Sequence, residues 1–523
     1  MNPRPDVVVV GAGGAGAVLA ARLSEDADRN VLLLEAGRVP RGAAGFGPAL
    51  LDARLVPGAQ PDHPAVHAHA VRLAPHRPWQ VPRGRVLGGS TTVNGGYFIR
   101  ARREDFDRWA AAGNPAWAHD NVLPLLRALE TDLDFGPGPA HGQSGPMRIT
   151  RSRLAHPAAS AFREAARALG FPAEPDKNDQ APAGFGPVPS NSVDGVRRNT
   201  GLSYLPPEVL DRPNLTVADG CSVQRVVVER GRATGVLAER GGDRTRFDAG
   251  TVVLSAGALA TPRLLLLSGI GPHADLRRIG VPVVHDAPAV GTRFGDHPQL
   301  VLDWAPHHDL GEPAGSWLGG CLHLSSAGTS APRAGRGPGD VEILQSLIPL
   351  AGLTGGAVRV PGAPLPFLAS VQLPHPTGRL RLRSADPAVP PRIDYRYPSS
   401  PEVRHRLRTA VRVTAELLGT PPFAALTSGL TEPVSRFLDD DRALDHWIRG
   451  RLGTAQHTCG TVPMGPVDGP ARGAVDQFGR VHGVRALRVA DTSVLPDTPH
   501  RGPAATAVLV GELIADAIRR DLP

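Results

Sequence analysis

Lysine is almost absent from this chain of 523 residues, because Lys177 is the only lysine among 57 basic residues. The arginines that make up the rest are spread through every region and do not form a block. Recognition of nucleic acid requires basic side chains clustered on one face or in one tail. The formal net charge of +7 therefore does not predict a nucleic-acid partner. Many arginines will pair with the 50 acidic residues, which leaves a small excess to attract an acidic substrate or partner.

Cysteine and long apolar runs are scarce as well. The three cysteines, Cys221, Cys321 and Cys459, are odd in number and lack the spacing of metal ligands, which favours a reducing, cytoplasmic compartment. No uncharged apolar run reaches the ~18–20 residues of a membrane span, and the nearest candidate, Gly502–Ile518, contains two acidic residues. We therefore predict a cytoplasmic protein without a transmembrane segment, and a peripheral contact with a membrane stays open.

Aromatic residues are few, at 4% of the chain, so the core must be built mainly from Val, Leu and Ala. The 61 glycines and 54 prolines together stay just below the ~25–30% at which disorder becomes the default interpretation. The chain should therefore be folded but rich in loops, the longest of which we predict at Gly37–Pro78 and Gly311–Gly339. The length predicts two or three domains.

The first 35 residues form a complete dinucleotide-binding pattern. Val7–Val10 is a continuous apolar run typical of a strand buried on both faces of a parallel sheet. A G-x-G-x-x-G motif follows over Gly11–Gly16, then a helical pattern over Ala17–Leu23, and a second buried strand that ends in Glu35. Strand, glycine turn, helix, strand and acid are the parts of a Rossmann unit. This unit alone does not distinguish FAD from NAD.

Two longer segments carry most of the remaining information. The first runs from Gly84 to Asn94 and is followed by Phe98, Ala101 and Asp107; the second runs from Gly257 to Gly271. By composition the first is a glycine-rich loop whose backbone approaches a flat ligand closely. The second is read as a strand over Thr251–Ser255, a turn, and a helix with Thr261 as its cap and Pro262 at its first position.

Both segments resemble the signatures of the glucose-methanol-choline (GMC) flavin oxidoreductases. Further similar segments follow in the family's order: His141–Pro146, Val290-Gly291, Asp296-His297-Pro298, His457–Gly465 and Asp476–Ser493. The resemblance spans nearly the whole chain. It implies an α/β fold with two interleaved domains. A Rossmann-like FAD-binding domain is expected at residues 1–150, 195–296 and 454–523. An α+β substrate domain, built on an antiparallel sheet, is expected at residues 151–194 and 297–453.

The resemblance also implies where FAD lies. The residues expected to contact it are Gly11, Gly13, Gly14, Ala15, Gly16, Glu35, Arg85, Gly88, Gly89, Ser90, Asn94, Gly95, Gly96, Val223, Ala256, Gly257 and Asp491. Some relatives attach the flavin covalently through a histidine just before the asparagine. That position is Val93 here, and because an alkyl side chain cannot form the bond, we predict non-covalent FAD.

His457 holds the position of the family's catalytic histidine. Oxidation of an alcohol needs a base that removes the hydroxyl proton while a hydride leaves for the flavin, and imidazole suits this task near neutral pH. Most relatives place a second His or Asn beside the first. That position falls on Gly502 here, with His500 two residues earlier. Either His500 enters the site, or Arg501, water or a substrate group takes the second role.

Several functions fit this pattern. We predict an FAD-dependent alcohol dehydrogenase or oxidase with His457 and His500 as catalytic candidates. Within the family, the altered terminal segment resembles the mycofactocin-associated branch, which implies reduced mycofactocin as substrate and a quinone or respiratory-chain component as electron acceptor. An ordinary primary or aryl alcohol oxidase and a hydroxynitrile lyase that keeps FAD without redox turnover are the alternatives.

Away from these motifs, the sequence predicts four further features. They are an antiparallel meander over Cys221–Arg230, Arg232–Arg240 and Arg244–Asp248, a half-exposed strand at Leu380–Arg383, a helix from Pro398 to Leu418, and a closing helix over Gly502–Ile518. Four histidines, His63, His67, His69 and His76, lie in the predicted loop Gly37–Pro78 without acids at ligand spacing, so no metal site is expected there.

Overall fold

A five-stranded parallel sheet forms the centre of the molecule. The computed structural model describes residues 4–327, 337–355, 362–372, 376–397, 400–432, 434–469 and 471–521. The strand order is Leu215–Ala218, Val31–Leu34, Val7–Val10, Thr251–Leu254 and Leu487–Val489. The three central strands are buried along their whole length, as strands covered by structure on both faces must be. The strands predicted at the N-terminus are thus confirmed.

Two helices cover the glycine turn of this sheet. The helix Gly16–Leu23 follows the turn directly and packs against the closing helix Ala504–Asp521. Gly511 permits this close approach, since a Cβ there would lie 2.7 Å from the Val18 Cβ atom. The closing helix begins two residues later than the predicted Gly502 and is otherwise confirmed. Among the helices that the structure describes, none has the length and apolar character needed to cross a lipid bilayer.

A second layer is built on a six-stranded antiparallel sheet, as the resemblance implies. Its strands, in order, are Gly453–Thr454, Pro298–Trp304, Leu365–Val371, Val341–Ser346, Leu318–Leu324 and Phe185–Pro187. The helices Pro157–Ala168 and Pro401–Leu418 pack on it. The second helix is capped by Ser400, whose Oγ accepts a hydrogen bond from the Val403 N–H at 3.2 Å. The predicted start at Pro398 lies outside the described residues.

The antiparallel meander is confirmed, with strands Cys221–Glu229, Arg232–Arg240 and Asp243–Asp248. The predicted loop Gly37–Pro78 is wrong in part, because its second half forms the strand Val66–Ala74, which pairs with Arg77–Gly84. His67 and His69 lie on that strand, where they alternate with small apolar residues in a period of two that indicates a strand.

Three further predictions are refined. The second predicted loop, Gly311–Gly339, contains the strand Leu318–Leu324, and residues 328–336 lie outside the described part. The strand predicted at Leu380–Arg383 is observed at Arg379–Arg381. Thr261 is not the cap of its helix, since Ala260–Leu267 has Leu259 at the N-cap position.

The remaining elements are shorter and connect these layers. The strands are Glu130–Asp132, Met147–Arg151, Pro189–Ser190, Ser192–Val193, Val196–Arg197, Ile270–Gly271, His285–Asp286 and Arg392–Asp394; the helices are Gly42–Phe46, Pro48–Leu51, Pro57–Ala59, Ser90–Val93, Arg103–Ala111, Pro115–Trp117, His119–Ala128, Thr200–Tyr204, Pro207–Leu210, His273–Arg278, Leu350–Leu353, Pro421–Ala424, Val434–Phe437, Asp441–Arg451 and Thr492–Val494. The predicted domain boundaries stay a prediction.

Candidate active site

The glycine turn after the first strand admits no side chain at two of its positions. A Cβ at Gly11, where φ is +97°, would lie 2.5 Å from the Ser255 carbonyl oxygen, and one at Gly16 would lie 1.8 Å from the Gly11 carbonyl oxygen. At Gly13 the nearest heavy atom to such a Cβ is the Gly89 Cα, at 3.9 Å. Gly11 and Gly16 thus serve the fold, whereas Gly13 borders open space.

Glu35 ends the second strand and lies against this turn. Its Oε2 accepts a hydrogen bond from the Ala12 N–H at 2.9 Å and its Oε1 one from the Gly37 N–H at 2.8 Å. Burial raises the pKa of Glu35, and the backbone donors and the Arg85 guanidinium partly offset this. The exposed Arg85 donates from Nε to the Ala36 carbonyl at 3.2 Å. The carboxylate is held rigidly at the edge of the turn.

The second glycine loop contacts the first. The Gly88 N–H donates to the Ala12 carbonyl at 2.8 Å, and a Cβ at Gly89, where φ is +52°, would lie 2.7 Å from the Gly13 Cα. Ser90 then begins the short helix Ser90–Val93. Two backbone segments far apart in sequence therefore meet at van der Waals distance, which only glycine allows.

The end of this loop lies against the antiparallel layer. The Asn94 Oδ1 accepts hydrogen bonds from the Gly96 N–H at 3.0 Å and from the Arg197 Nη1 at 3.3 Å. Trp317 donates from Nε1 to the Gly95 carbonyl at 2.9 Å, and a Cβ at Gly95 would lie 2.6 Å from the Trp317 ring. Asn94 and Gly95, which are predicted to contact the flavin, are thus held in place by hydrogen bonds to Arg197 and Trp317.

Asp491 organises the other predicted contacts. Its Oδ2 accepts hydrogen bonds from the Gly257 N–H at 2.8 Å and from the Thr261 hydroxyl at 2.6 Å, and Thr261 in turn accepts from the Ala256 N–H at 3.1 Å. Burial raises the pKa of Asp491, and these hydrogen bonds oppose the rise. Val223 is half-buried on the strand Cys221–Glu229, whose first residue donates to the Glu35 carbonyl.

His457 forms a pair with a second histidine that we did not predict as a site residue. The Nδ1 atoms of His457 and His297 are 2.9 Å apart and their rings are perpendicular. Burial lowers the pKa of both imidazoles; at His297 the neighbouring His457 adds to the effect, whereas at His457 Asp296 and Glu342 partly offset it. Both rings are therefore neutral near pH 7, and one Nδ1 must donate to the other.

Asp296 holds both histidines by their backbone. Its Oδ1 accepts hydrogen bonds from the His297 N–H at 2.7 Å, the His457 N–H at 2.9 Å and the Thr454 hydroxyl at 3.1 Å. Its Oδ2 accepts one from the Thr458 hydroxyl at 2.7 Å. One buried carboxylate therefore fixes the position of the two rings, and the sequence signal for it was the Asp-His pair before Pro298.

The C-terminal segment contributes Gly502, Arg501 and His500 in three different ways. A Cβ at Gly502 would lie 3.4 Å from Cε1 and Nε2 of His457, so the missing side chain leaves room beside the outer edge of that ring. His500 is buried and turned toward Asp105, with 2.6 Å between its Nδ1 and the Asp105 Oδ1. Arg501 is completely buried. The structure thus brings Gly502 next to His457 and turns the His500 Nδ1 toward Asp105.

Two clusters among the described residues have the ligand types of a metal site. They are Cys321, His323 and Glu342, and Glu130, Asp132 and His141. In the first cluster the Lys177 ammonium lies 3.1 Å from the His323 Nδ1. In the second cluster the Arg151 guanidinium lies 2.7 Å from the Asp132 Oδ2. The Arg151 guanidinium therefore already pairs with Asp132, and the Glu342 carboxylate is bound to the His323 Nε2 at 2.9 Å. Cys459 is a free, buried thiol whose pKa burial raises.

The turn and loop residues fit an adenine dinucleotide with a flat ring. Among the described residues, the helix Gly16–Leu23 has no side-chain cap. The Ala17 N–H donates to the Gly13 carbonyl at 3.0 Å, and the first N–H of the helix, at Gly16, would be available to a phosphate oxygen. At Gly13 an added Cβ would meet only the Gly89 Cα within 4 Å, and next to Gly88 the Asn199 Nδ2 is a buried donor that has no partner within the described part of the chain. Glu35, at the edge of the turn, would be the acceptor for the ribose hydroxyls. These residues would hold FAD.

Comparison with known proteins identifies the family of this chain. Residues 6–299 and 374–511 match the two models of the GMC oxidoreductase family. An uncharacterised GMC-type oxidoreductase of Rhodococcus erythropolis is 38% identical over 97% of both chains. An oxygen-dependent choline dehydrogenase of Sinorhizobium fredii is 33% identical over 98% of this chain and 95% of its own.

A solved structure shows the same fold. The crystal structure of pyridoxine 4-oxidase from Mesorbium loti superposes with a TM-score of 0.89 at 27% identity, over 99% of each chain. None of these relatives is named for mycofactocin, so the branch stays a prediction. The chain itself belongs to the GMC oxidoreductase family, and its cofactor is FAD.

Proposed function

We propose that this protein oxidises the CH–OH group of an alcohol, with His457 as the base that removes the hydroxyl proton. The observation that carries the proposal is the His457–His297 pair beside the side-chain-free Gly502. Two relatives are named for choline and pyridoxine, compounds that both carry a hydroxymethyl group. When bound, FAD accepts the hydride that leaves the alcohol carbon.

The histidine pair sets the tautomer of the base. When the His457 Nδ1–H donates to the His297 Nδ1, the His457 Nε2 keeps its lone pair and points toward the space beside Gly502. That lone pair can accept the alcohol proton. Because burial lowers the pKa of His457, the ring is neutral before the reaction and ready to accept it.

The substrate hydroxyl would occupy the space beside Gly502. A second His or Asn at that position would fill it, whereas glycine leaves it to the substrate itself. The His500 Nδ1 is 2.6 Å from the Asp105 Oδ1, so this atom is already engaged by a buried carboxylate. We therefore propose a positioning role for His500 and proton transfer at His457 alone.

The flavin is proposed to be bound without a covalent link. Val93 is buried at the end of the short helix Ser90–Val93, and its alkyl side chain offers no nucleophile. Acid precipitation of the purified protein should release all of the yellow chromophore into the supernatant. Flavin that stays with the precipitate would contradict this part of the proposal.

The reaction is tested by anaerobic mixing of the holoenzyme with primary alcohols, aryl alcohols and reduced mycofactocin. Bleaching of the oxidised flavin absorbance identifies the donor, and later addition of air or a quinone identifies the acceptor. His457→Ala should slow bleaching by ~10²–10⁴, as expected for a lost general base. The exposed His446 supplies the matched control, His446→Ala, which should bleach at the wild-type rate.

Two results would overturn the proposal. An unchanged rate in His457→Ala would remove this residue from the chemistry. A flavin that no alcohol and no reduced mycofactocin bleaches, in a protein that cleaves a cyanohydrin, would instead indicate the lyase.

A further inference from the structure

Arg501 is a buried cation whose donors are largely unused. Its side chain is 0% exposed, and its Nη1 donates to the His500 carbonyl at 2.7 Å. In the described part of the chain, its Nε and Nη2 find no hydrogen-bond partner. A buried charged donor without an acceptor costs free energy, so the fold retains this arrangement at the expense of stability.

The two free atoms define one edge of the guanidinium. Nε–H and one Nη2–H point in the same direction, and this is the edge on which a carboxylate binds through two parallel hydrogen bonds. The remaining nitrogen, Nη1, is the one fixed by the protein backbone. Arg501 is therefore anchored at one corner and presents its two-pronged edge unused.

The nearby carboxylates are engaged by other groups. Glu342 accepts hydrogen bonds from the His323 Nε2 at 2.9 Å, the Tyr97 hydroxyl at 3.2 Å and the Ser370 hydroxyl at 3.3 Å. Both Glu342 and Arg501 are buried, and the charge of Arg501 acts on Glu342 without a direct hydrogen bond between them. Glu342 therefore does not satisfy the free edge.

The second carboxylate is held in the same way. The Glu174 Oε2 accepts hydrogen bonds from the Lys177 ammonium at 2.6 Å and the Gly184 N–H at 3.0 Å. Its Oε1 lies 3.8 Å from the Arg102 Nη1 and forms no hydrogen bond with Arg501 among the described residues. The neighbouring Arg102, on which the charge of Arg501 acts, is itself paired with Glu104 at 3.5 Å and Glu174 at 3.8 Å. Arg501 is therefore the cation of this cluster whose two-pronged edge remains without an acceptor among the described residues.

The unused edge of Arg501 belongs to the same short segment as Gly502, which borders the proposed space for the substrate hydroxyl. Arg501 precedes Gly502, and consecutive Cα atoms are about 3.8 Å apart. Gly502 borders the His457 Nε2, and the Glu342 carboxylate interacts electrostatically with both Arg501 and His457. A small molecule whose hydroxyl meets His457 can therefore place a second group a few bonds away at Arg501.

We propose that Arg501 binds a carboxylate of the substrate, so that the preferred substrates are small alcohols that carry a carboxylate a few bonds from the CH–OH carbon. This inference rests on the proposed oxidation at His457 and names the substrate class. Binding alone is involved: the carboxylate keeps its charge, and the guanidinium supplies two N–H donors.

The test compares matched anions and neutral amides as probes. Acetate and acetamide, and propionate and propionamide, are titrated into the oxidised holoenzyme at constant ionic strength and pH 7. Binding is followed by isothermal titration calorimetry and by the change in the flavin visible spectrum. A two-pronged, charge-assisted contact should make each acid bind at least about tenfold more tightly than its amide. Equal binding of acid and amide would show that water or nothing occupies the edge and would overturn the proposal.

Variants assign the preference to one residue. Arg501→Gln should abolish the acid-over-amide ratio, and Arg501→Lys, which keeps the charge but lacks the fork, should lower it several-fold. Arg383→Gln removes the same charge from an exposed position and should keep the wild-type ratio. If Arg501→Gln does not fold, the acid-over-amide ratio of Arg501→Lys tests the proposal in its place. A wild-type ratio in either Arg501 variant overturns the proposal.

The outcome is separable from that of the proposed function. If neutral alcohols bleach the flavin while acids and amides bind equally, oxidation at His457 stands and the anion site fails. If acids bind preferentially through Arg501 while no hydroxy acid and no neutral alcohol bleaches the flavin, the anion site stands and the proposed oxidation fails.

Discussion

Replacement of Asp296 by asparagine tests whether one carboxylate positions and tunes the histidine pair. Hydrogen bonds to a charged acceptor contribute ~1.5–3 kcal/mol, and those to a neutral acceptor ~0.5–1.5 kcal/mol. Asparagine can keep its Oδ1 on the two histidine N–H groups, 2.7 and 2.9 Å away, but loses the charge. Each of these bonds, and the third one that the Thr454 hydroxyl donates to the same Oδ1 at 3.1 Å, then weakens by about 1 kcal/mol, so we expect a total loss of roughly 3 kcal/mol.

The same replacement should change the pH dependence in a defined direction. Burial lowers the pKa of His457, and the Asp296 carboxylate partly offsets this. Without that charge the pKa of His457 falls further. The base is active when neutral, so the acidic limb of the kcat/KM profile should move to lower pH in Asp296→Asn.

The assay combines two measurements on the holoenzyme. Thermal release of flavin fluorescence should begin a few degrees earlier in Asp296→Asn, and steady-state rates from pH 5 to 9 should give the shifted limb. Thr458→Val is the control, because it removes the 2.7 Å contact to the Oδ2 and keeps the Asp296 charge. It also removes the contacts of the Thr458 hydroxyl with Tyr395 at 2.8 Å and Arg83 at 3.0 Å. A limb that moves to higher pH in Asp296→Asn, or one that moves equally in the control, refutes the reasoning.

Three further predictions concern other parts of the molecule. His297→Leu removes the tautomer-setting partner 2.9 Å from His457, and kcat/KM should fall about tenfold with little change in flavin content; full activity would argue against the pair. Gly11→Ala should prevent folding, because its Cβ would lie 2.5 Å from a backbone oxygen. Gly13→Ala should fold but bind FAD more weakly, and a lower ratio of flavin to protein in the purified variant would show this. Burial opposes protonation of His141, but three carboxylates raise the pKa of His141 to about 10. Its contribution to stability is complete below about pH 6.5 and lost as the pH rises toward 10, so urea midpoints should fall between pH 6 and 10 in the wild type and fall less in His141→Gln; parallel profiles would exclude this linkage.

Local pattern was sufficient where a few adjacent residues decide the structure. The run Val7–Val10 forms a buried strand because its neighbours on both sides are also strands, and the glycine turn follows because no larger residue fits at Gly11 or Gly16. At Val66–Ala74 the alternating pattern of a strand is also local, but the glycine- and proline-rich surroundings favour a loop, and the strand gains its stability from pairing with Arg77–Gly84.

The chemistry depends on contacts that no local pattern contains. The sequence by itself determined the nucleotide-binding unit, the family and the position of His457, because these lie in continuous motifs. Only the tertiary structure brought His297 to His457, 160 residues away, turned His500 toward Asp105, and left Gly502 beside the base. The unused edge of Arg501 is likewise visible only in the folded chain. The positions of these side chains depend on how segments that are far apart in sequence pack together. That packing involves many residues at once, so no local pattern predicts it.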